Sequence, residues 1–175
     1  MRVARPIIDP SSFCEFFMDY AKENDITGEL VDLGCGNGRD TLHLATRFDV
    51  VGVDEWIDTP SQQFFEGNVL DNKFLWSIAE VVYSRFFLHC LSQEQILEII
   101  ENTSNYFVAE TRIVGDVPVL YTDHPRFFVD FEWLKKALQD KGFMLLYEDS
   151  GRGLAVLGEE DPLVGRVIAK KESYE

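Results

Sequence analysis

The chain has 175 residues, of which 46% are hydrophobic and 27% are charged, proportions typical of a folded globular domain. A chain of this length can bury a core without disulfide or metal cross-links. It contains no run approaching about 18 consecutive apolar residues, which excludes a transmembrane helix. The N-terminal residues lack the apolar run of a secretory signal, so the cytoplasm is the expected location.

The charge balance narrows the classes of partner. There are 31 acidic and 16 basic residues, which gives a formal net charge of −15. Such a surface repels a phosphate backbone, so nucleic acid is disfavoured as a partner. The three cysteines (Cys14, Cys35 and Cys90) lack the paired spacing of a zinc site. We therefore predict no metal.

Strand-length apolar runs alternate with segments of helical period along the chain, and this alternation predicts one α/β domain over residues 1–175. Several runs are apolar throughout, as expected for strands that are covered on both faces. The predicted strands are Glu29–Leu33, Val50–Val53, Gln63–Glu66, Glu80–Ser84, Tyr106–Ala109, Phe143–Tyr147 and Val167–Ala169.

Three helices have recognisable start signals. Asp9 followed by Pro10 predicts the start of the first helix. Ser92 and Gln95 have the spacing of a capping box, and Asp130 can cap a third helix. The segment Thr111–Val129 fits neither the helical nor the strand period, and long irregular segments of this kind often carry function.

The most informative segment is a glycine-rich turn between a predicted strand and a predicted helix. Gly34, Gly36 and Gly38 alternate within the sequence LVDLGCGNGRDTLHL, and a helix is predicted to open near Arg39. Glycines allow positive φ angles and let a ligand approach the backbone closely. We therefore predict a ligand-binding loop at this turn.

Two acids accompany the loop and indicate the ligand. Asp54 directly follows the next predicted strand, 22 residues after Asp32, about the interval at which a second-strand carboxylate meets ribose hydroxyls. The third glycine comes one residue earlier than in the dinucleotide fingerprint, and a carboxylate at Asp32 opposes a pyrophosphate but suits an ammonium or sulfonium group. The residues therefore favour an amino-acid nucleoside, with a nicotinamide cofactor as an alternative.

The sequence VDLGCGNGRDT resembles the first motif of the class I S-adenosylmethionine (SAM) dependent methyltransferases, and the resemblance covers about residues 10–170. It implies SAM as the cofactor. It also implies a Rossmann-like sheet of seven strands in the order 3-2-1-4-5-7-6, with strand 7 antiparallel and helices on both faces. The chain departs from the family between Asp54 and Gln63, where only eight residues replace the usual helix.

The resemblance also implies roles for individual residues. Asp32 would face the amino group of the methionine portion, Asp54 would accept hydrogen bonds from the ribose hydroxyls, and Asn68 would accept one from the adenine amino group. The complete predicted cofactor site consists of Asp32, Gly34, Cys35, Gly36, Asn37, Gly38, Asp54, Asn68, Val69 and Ser84.

Two histidines are candidates for a base or a positioning group on the acceptor. His89 follows the fourth predicted strand, and the alternative that it is a satisfied residue beside the cofactor stays open. His124 lies in the irregular segment. The predicted acceptor-binding residues are Arg85, Tyr121, Asp123 and Arg126, and Arg85 and Arg126 could pair with a carboxylate or phosphate.

The leading hypothesis is a methyltransferase acting on a small polar acceptor, on oxygen in preference to nitrogen. A faint likeness to methyltransferases of bacterial surface-polysaccharide assembly favours a sugar-like acceptor. Two alternatives stay open, a non-catalytic SAM-binding subunit or regulator and a nucleic-acid or protein methyltransferase. The base-amino methylating enzymes carry an N-P-P-Y type tetrapeptide where this chain has YSRF. A monomer and a homodimer are equally compatible with the sequence.

Overall fold

A computed structural model describes residues 9–57, 61–116 and 127–173 of the chain. Its centre is a seven-stranded sheet in the order β3-β2-β1-β4-β5-β7-β6. All neighbouring strands are parallel except β7, which runs antiparallel to both β5 and β6. The strands are β1 (Glu29–Leu33), β2 (Asp49–Asp54), β3 (Phe64–Glu66), β4 (Val81–Arg85), β5 (Tyr106–Arg112), β6 (Phe143–Gly151) and β7 (Val164–Lys171). The predicted strand order and the antiparallel seventh strand are confirmed.

Helices cover both faces of the sheet. One apolar core lies between the sheet and α3 and α4, and a second lies between the sheet and α1 and α2. The helices are α1 (Ser12–Glu23), α2 (Arg39–Leu44), α3 (Gln93–Asn102) and α4 (Phe131–Asp140), with short 3₁₀ segments at Leu70–Leu75 and Leu88–Cys90. Among the described residues no helix is both long enough and apolar enough to cross a bilayer.

The central strands are apolar because both of their faces are covered. All seven residues of β5 are buried, and four of the five residues of β4 are buried. Successive side chains of a strand point to opposite faces, so Leu30 packs in the α1 core while Val31 and Leu33 pack in the α3 and α4 core. The continuous apolar runs of the sequence follow from this two-sided burial.

The predicted start of the first helix was wrong by two residues. Asp9 and Pro10 precede the helix, and Ser11 is its cap. The reason is a side-chain hydrogen bond, because Ser11 Oγ accepts from the Cys14 N–H at 3.1 Å. The capping box of Ser92 and Gln95 is confirmed, as is the cap at Asp130.

At the carboxyl ends of the parallel strands, the end of β5 differs from the sequence analysis, whereas the connection between β2 and β3 agrees with it. β5 continues through Arg112, because Thr111 and Arg112 pair with Gly165 and Val164 of β7, so the irregular segment begins later than predicted. Between β2 and β3, the described residues 55–57 and 61–63 contain no helix. The short connection predicted there is confirmed for these residues.

Candidate functional site

The glycine loop connects β1 to α2 and is fastened to the neighbouring strand. The N–H groups of Gly34 and Cys35 donate to the Val53 carbonyl at 2.8 and 3.2 Å. Gly34 has a φ of +71°, and a Cβ there would lie 2.4 Å from the ring of Phe87. A side chain at this position would therefore collide with the residue that packs over the loop.

Gly36 faces open space at the tip of the same loop. Its φ is +57°, and a Cβ built there would have no atom of the described residues within 4 Å. Glycine at this position therefore has no packing function within the described part of the chain. It leaves the backbone accessible to a ligand, as the sequence analysis predicted for the loop.

Asp54 lies beside the loop, as the sequence interval predicts. Its Oδ2 accepts a hydrogen bond from the Gly36 N–H at 2.9 Å, and its Oδ1 accepts one from the Trp56 N–H at 3.2 Å. These contacts hold the carboxylate at the carboxyl end of β2, next to the exposed loop backbone. The structure therefore brings together Asp54 and the glycine loop.

Asp32 lies beneath the loop and is almost completely buried. Thr41 Oγ1 donates a hydrogen bond to its Oδ2 at 2.6 Å. Burial raises the pKa of Asp32 to about 7, with a further increase from the negative charge of Asp40 and a decrease from the Thr41 hydrogen bond. A buried carboxyl of this kind gains from a cationic ligand, because the ligand's positive charge compensates the cost of ionisation.

The neighbouring acid, Asp40, has a structural role. It is buried, and it accepts hydrogen bonds from the Ser11 N–H, the Ser11 hydroxyl and the Tyr83 hydroxyl at 2.8, 2.6 and 2.9 Å. Arg39 lies 3.7 Å from it. These contacts link the start of α1 to α2 and β4, so Asp40 fixes the helix that follows the loop.

Asn68 is already engaged in local contacts at the end of β3. Its carbonyl oxygen accepts from the Leu70 N–H at 2.9 Å, and its amide donates to Glu55 Oε1 at 2.8 Å. Val69 is buried and its carbonyl accepts from the Trp76 indole at 3.1 Å. These contacts favour a structural role for Asn68 and Val69, and they bring Glu55 close to the predicted adenine position.

Ser84 ends the buried part of β4 and has an unusual environment. The residue is 1% exposed, and its Oγ has no hydrogen-bond partner within the described part of the chain. A buried hydroxyl without a partner is costly unless a ligand or water satisfies it. This observation is compatible with the predicted contact between Ser84 and the cofactor.

His89 is buried and lies between two segments of the chain. Its Nδ1 accepts from the Arg112 N–H at 3.5 Å and lies 3.4 Å from Thr111 Oγ1. Its carbonyl accepts from the Phe127 N–H. With 1% exposure, the side chain connects the end of β4 to the end of β5. This geometry favours the alternative in which His89 is a satisfied residue beside the site.

The remaining predicted site residues (Tyr121, Asp123, His124 and Arg126) lie outside the described residues and stay predictions. The loop between β6 and β7 reaches the same edge of the sheet. Arg152 donates to the Asp161 carbonyl at 2.6 Å and to Asp116 Oδ1 at 3.1 Å, and Glu160 lies 3.5 Å from Arg112.

Sequence reasoning missed several residues that shape this edge. Thr41 binds Asp32, and its signal was a hydroxyl one helical turn after the glycine loop. Trp56 is half exposed next to Asp54, and its signal in the sequence was an aromatic residue two positions after the acid that was predicted to meet the ribose. Glu110 is completely buried between two arginines, which no sequence pattern indicates.

A cleft of about 320 Å³ opens between the N-terminal ends of α3 and α4. Phe127, Phe128 and Trp133 supply its aromatic lining. None of the predicted site residues that fall within the described ranges lines it, so the cleft is distinct from the glycine loop. Among residues 9–57, 61–116 and 127–173, no group of three or more acidic, histidine or cysteine side chains has a geometry that could hold a metal ion.

Comparisons with known proteins agree with the strand order. No protein-family model matches the chain, and no curated protein matches it in sequence. A SAM-dependent methyltransferase from Clostridium acetobutylicum superimposes with a TM-score of 0.69 at 11% identity, covering 95% of this chain and 93% of its own. One from Archaeoglobus fulgidus gives 0.62 at 16% identity, covering 90% and 94%.

A third similar structure was determined with a product-type ligand. Magnesium protoporphyrin IX methyltransferase from Synechocystis, with bound S-adenosylhomocysteine (SAH), gives a TM-score of 0.63 at 13% identity and covers 91% of this chain and 82% of its own. The sheet order, the position of the glycine loop and these superpositions lead to one conclusion. This chain has the class I fold of the SAM-dependent methyltransferases.

Proposed function

We propose that the protein binds SAM at the glycine loop and transfers its methyl group to a small polar acceptor. The single observation that carries the proposal is the pairing of Asp54 with the exposed Gly36 backbone, 2.9 Å apart, above the buried Asp32. An acid that can meet ribose hydroxyls thus lies next to an open backbone turn, and a second acid that gains from a cation lies beneath the turn.

The residues present fit this cofactor. Gly36 leaves space for the methionine portion, Asp32 suits its ammonium group, and the Ser84 hydroxyl has a hydrogen bond to offer. Bound SAM would supply a methyl group on a positively charged sulfur. The main task of the protein is then to align the acceptor atom with the bond that breaks, which accounts for a large part of the rate of such displacements.

We place the acceptor at the carboxyl ends of β4 and β5 and favour oxygen over nitrogen as its reacting atom. The net charge of −15 and YSRF at the end of β4 support a small acceptor rather than a nucleic acid. A sugar-like acceptor stays a proposal that rests on the sequence. His89, buried between β4 and β5, serves to position this region, while His124 remains the candidate base.

A ligand-binding measurement tests the cofactor. SAM and SAH should each stabilise the protein by about 2.7 kcal/mol at a hundredfold excess over the dissociation constant, which corresponds to a rise in Tm of roughly 5–10 °C. NAD should produce no shift. Asp54→Ala should remove most of the shift, because it removes the ribose contact and the anchor of Gly36.

The matched control is Asp49→Ala at the exposed opposite end of β2, which should keep the full ligand shift. Stabilisation by NAD and not by SAM would overturn the proposal in favour of a nicotinamide enzyme. Conversion of SAM to SAH in the presence of candidate acceptors separates an enzyme from a binding subunit. Absence of turnover with every sugar, polyol and phenol tested, despite tight binding of SAM, would favour the non-catalytic alternative.

A further inference from the structure

A buried cluster of charged side chains crosses three strands at the carboxyl end of β4. Arg85, Glu110 and Arg166 lie opposite one another in the register of β4, β5 and β7. Glu110 is completely buried, and its two oxygens accept from Arg85 Nε at 3.1 Å and from Arg166 Nε at 2.6 Å. One carboxylate thus forms ion pairs with two guanidinium groups, so the three side chains together carry one excess positive charge.

The excess charge is available on Arg85 rather than on Arg166. Arg166 is 5% exposed, and its Nη2 also donates to Ser12 Oγ at 3.1 Å and to the Leu154 carbonyl at 2.6 Å. The Arg85 side chain is 18% exposed. Within the described part of the chain, its only hydrogen bond is from Nε. Its two terminal nitrogens are therefore available to a ligand.

The orientation of Arg85 is fixed by the residue that follows it. The guanidinium carbon lies 4.1 Å from the centre of the Phe86 ring. Phe86 has a φ of +54°, which is rare for a bulky residue, and its N–H donates to the Glu110 carbonyl at 2.8 Å. Strained backbone of this kind often occurs at functional sites. Because the Arg85 guanidinium is already fixed by the Phe86 ring and by Glu110, it loses less conformational entropy when it binds a ligand.

Arg85 also lies on the side of the sheet where the proposed cofactor site is. Asp32 of β1 is opposite Tyr83 of β4, so the side chains of Asp32, Tyr83 and Arg85 share one face. The ring of Phe87 packs against Gly34 at the start of the glycine loop. An acid suited to an ammonium group and an arginine suited to an oxyanion therefore lie on adjacent strands.

We propose that Arg85 binds an oxyanion, a carboxylate or a phosphate, at the end of the site where the methyl group is transferred. This inference rests on the proposed function and adds a binding group to the same site. The planar guanidinium pairs well with either oxyanion. The oxyanion can come from two sources, the carboxylate in the methionine portion of the cofactor or an acidic group on the acceptor.

Binding of two nucleosides tests the first source. SAH carries the amino-acid carboxylate, whereas 5′-deoxy-5′-methylthioadenosine lacks the amino-acid portion. If the cofactor supplies the oxyanion, Arg85→Gln weakens SAH binding roughly 10- to 100-fold, the range expected for a hydrogen bond to a charged group, and leaves methylthioadenosine binding unchanged. Arg85→Lys keeps the positive charge but lacks the planar guanidinium group, so it should give an intermediate loss of SAH affinity.

The second source is tested on the SAH-saturated protein with inorganic phosphate and benzoate as probes at constant ionic strength. If the acceptor supplies the oxyanion, one of these probes raises the Tm of the wild type and not of Arg85→Gln, while SAH affinity stays within twofold. Lys136→Gln, on the exposed surface of α4, removes the same charge elsewhere and should behave like the wild type in both measurements.

Two results would overturn the inference. The first is an Arg85→Gln protein that matches the wild type with SAH, phosphate and benzoate. The second is an equal loss of SAH and methylthioadenosine, because it would show that Arg85 supports the site without binding an oxyanion. Failure of the proposed function looks different: wild-type protein would bind neither nucleoside, and the phosphate and benzoate measurements, repeated on the protein without SAH, would still report on Arg85.

Discussion

Asp32 is an acid whose ionisation the surrounding fold opposes. Its pKa rises to about 7 because the carboxyl is buried and because Asp40 adds a negative charge nearby. The folded protein thus binds this proton more tightly than the unfolded chain does. The resulting contribution to the unfolding free energy is present at low pH and is lost as the pH rises from about 4 through 7, at a cost of up to roughly 4 kcal/mol.

A cationic ligand should oppose the preference of the folded protein for protonated Asp32, since an ammonium group stabilises the ionised carboxylate. We therefore expect SAH affinity to rise roughly eightfold between pH 6.0 and 7.5, in proportion to the ionised fraction of Asp32. Titration calorimetry across this range checks the prediction. Asp32→Asn should bind weakly at all pH values, with a flat profile. A flat profile in the wild type would mean that Asp32 does not meet the ammonium group.

At the scale of the element, the glycine loop contains one glycine that packing requires and one that we propose is required for ligand binding. Gly34 and Gly36 both have positive φ, which costs other residues about 1–2 kcal/mol. They differ in surroundings, because a Cβ at Gly34 meets Phe87 whereas a Cβ at Gly36 meets nothing. The loop sequence alone makes the two glycines look equivalent.

Alanine at each position should therefore give opposite phenotypes. Gly34→Ala should lower the unfolding free energy, measured by urea denaturation, by more than the roughly 1–2 kcal/mol cost of a positive φ angle. The additional loss is expected because the Phe87 ring must move. Gly36→Ala should lose only about 1–2 kcal/mol of stability but should weaken SAH binding at least tenfold, because its methyl group enters the ligand space. Normal SAH affinity in Gly36→Ala would place the ligand elsewhere.

For the molecule as a whole, the large negative charge opposes compaction. A formal charge of −15 creates repulsion among surface carboxylates that added salt screens. We expect the unfolding free energy to rise by about 1 kcal/mol between 20 and 300 mM NaCl, a Tm increase of roughly 2–4 °C. Differential scanning calorimetry without ligand measures this effect.

Glu159→Lys provides the matched variant, because Glu159 lies on the exposed loop between β6 and β7 and the change raises the net charge by two units. The salt dependence should be smaller in this variant. An unfolding free energy that falls with salt would show that surface ion pairs outweigh the repulsion.

Binding of RNA at physiological salt would contradict the proposed preference for a small acceptor.

Periodicity and one motif determined most of the architecture. Buried parallel strands must be apolar on both faces, so their runs are visible in the sequence, and the strand order follows from the resemblance carried by VDLGCGNGRDT. Side-chain hydrogen bonds between residues close in sequence could also be predicted, as for the capping box of Ser92 and Gln95. The start of α1 was misjudged because Asp9 and Ser11 are both acceptable caps, and only the contacts of Ser11 with Asp40 and Cys14 distinguish them.

The sequence by itself therefore determined the class of fold, the glycine loop and the acid at Asp54, because these depend on spacing along the chain. Tertiary structure alone decided which polar groups are buried and paired. Arg85, Glu110 and Arg166 are far apart in sequence, and they meet because β7 inserts antiparallel beside β5. The pKa of Asp32 and the burial of His89 likewise depend on neighbours from other elements, which no local pattern encodes.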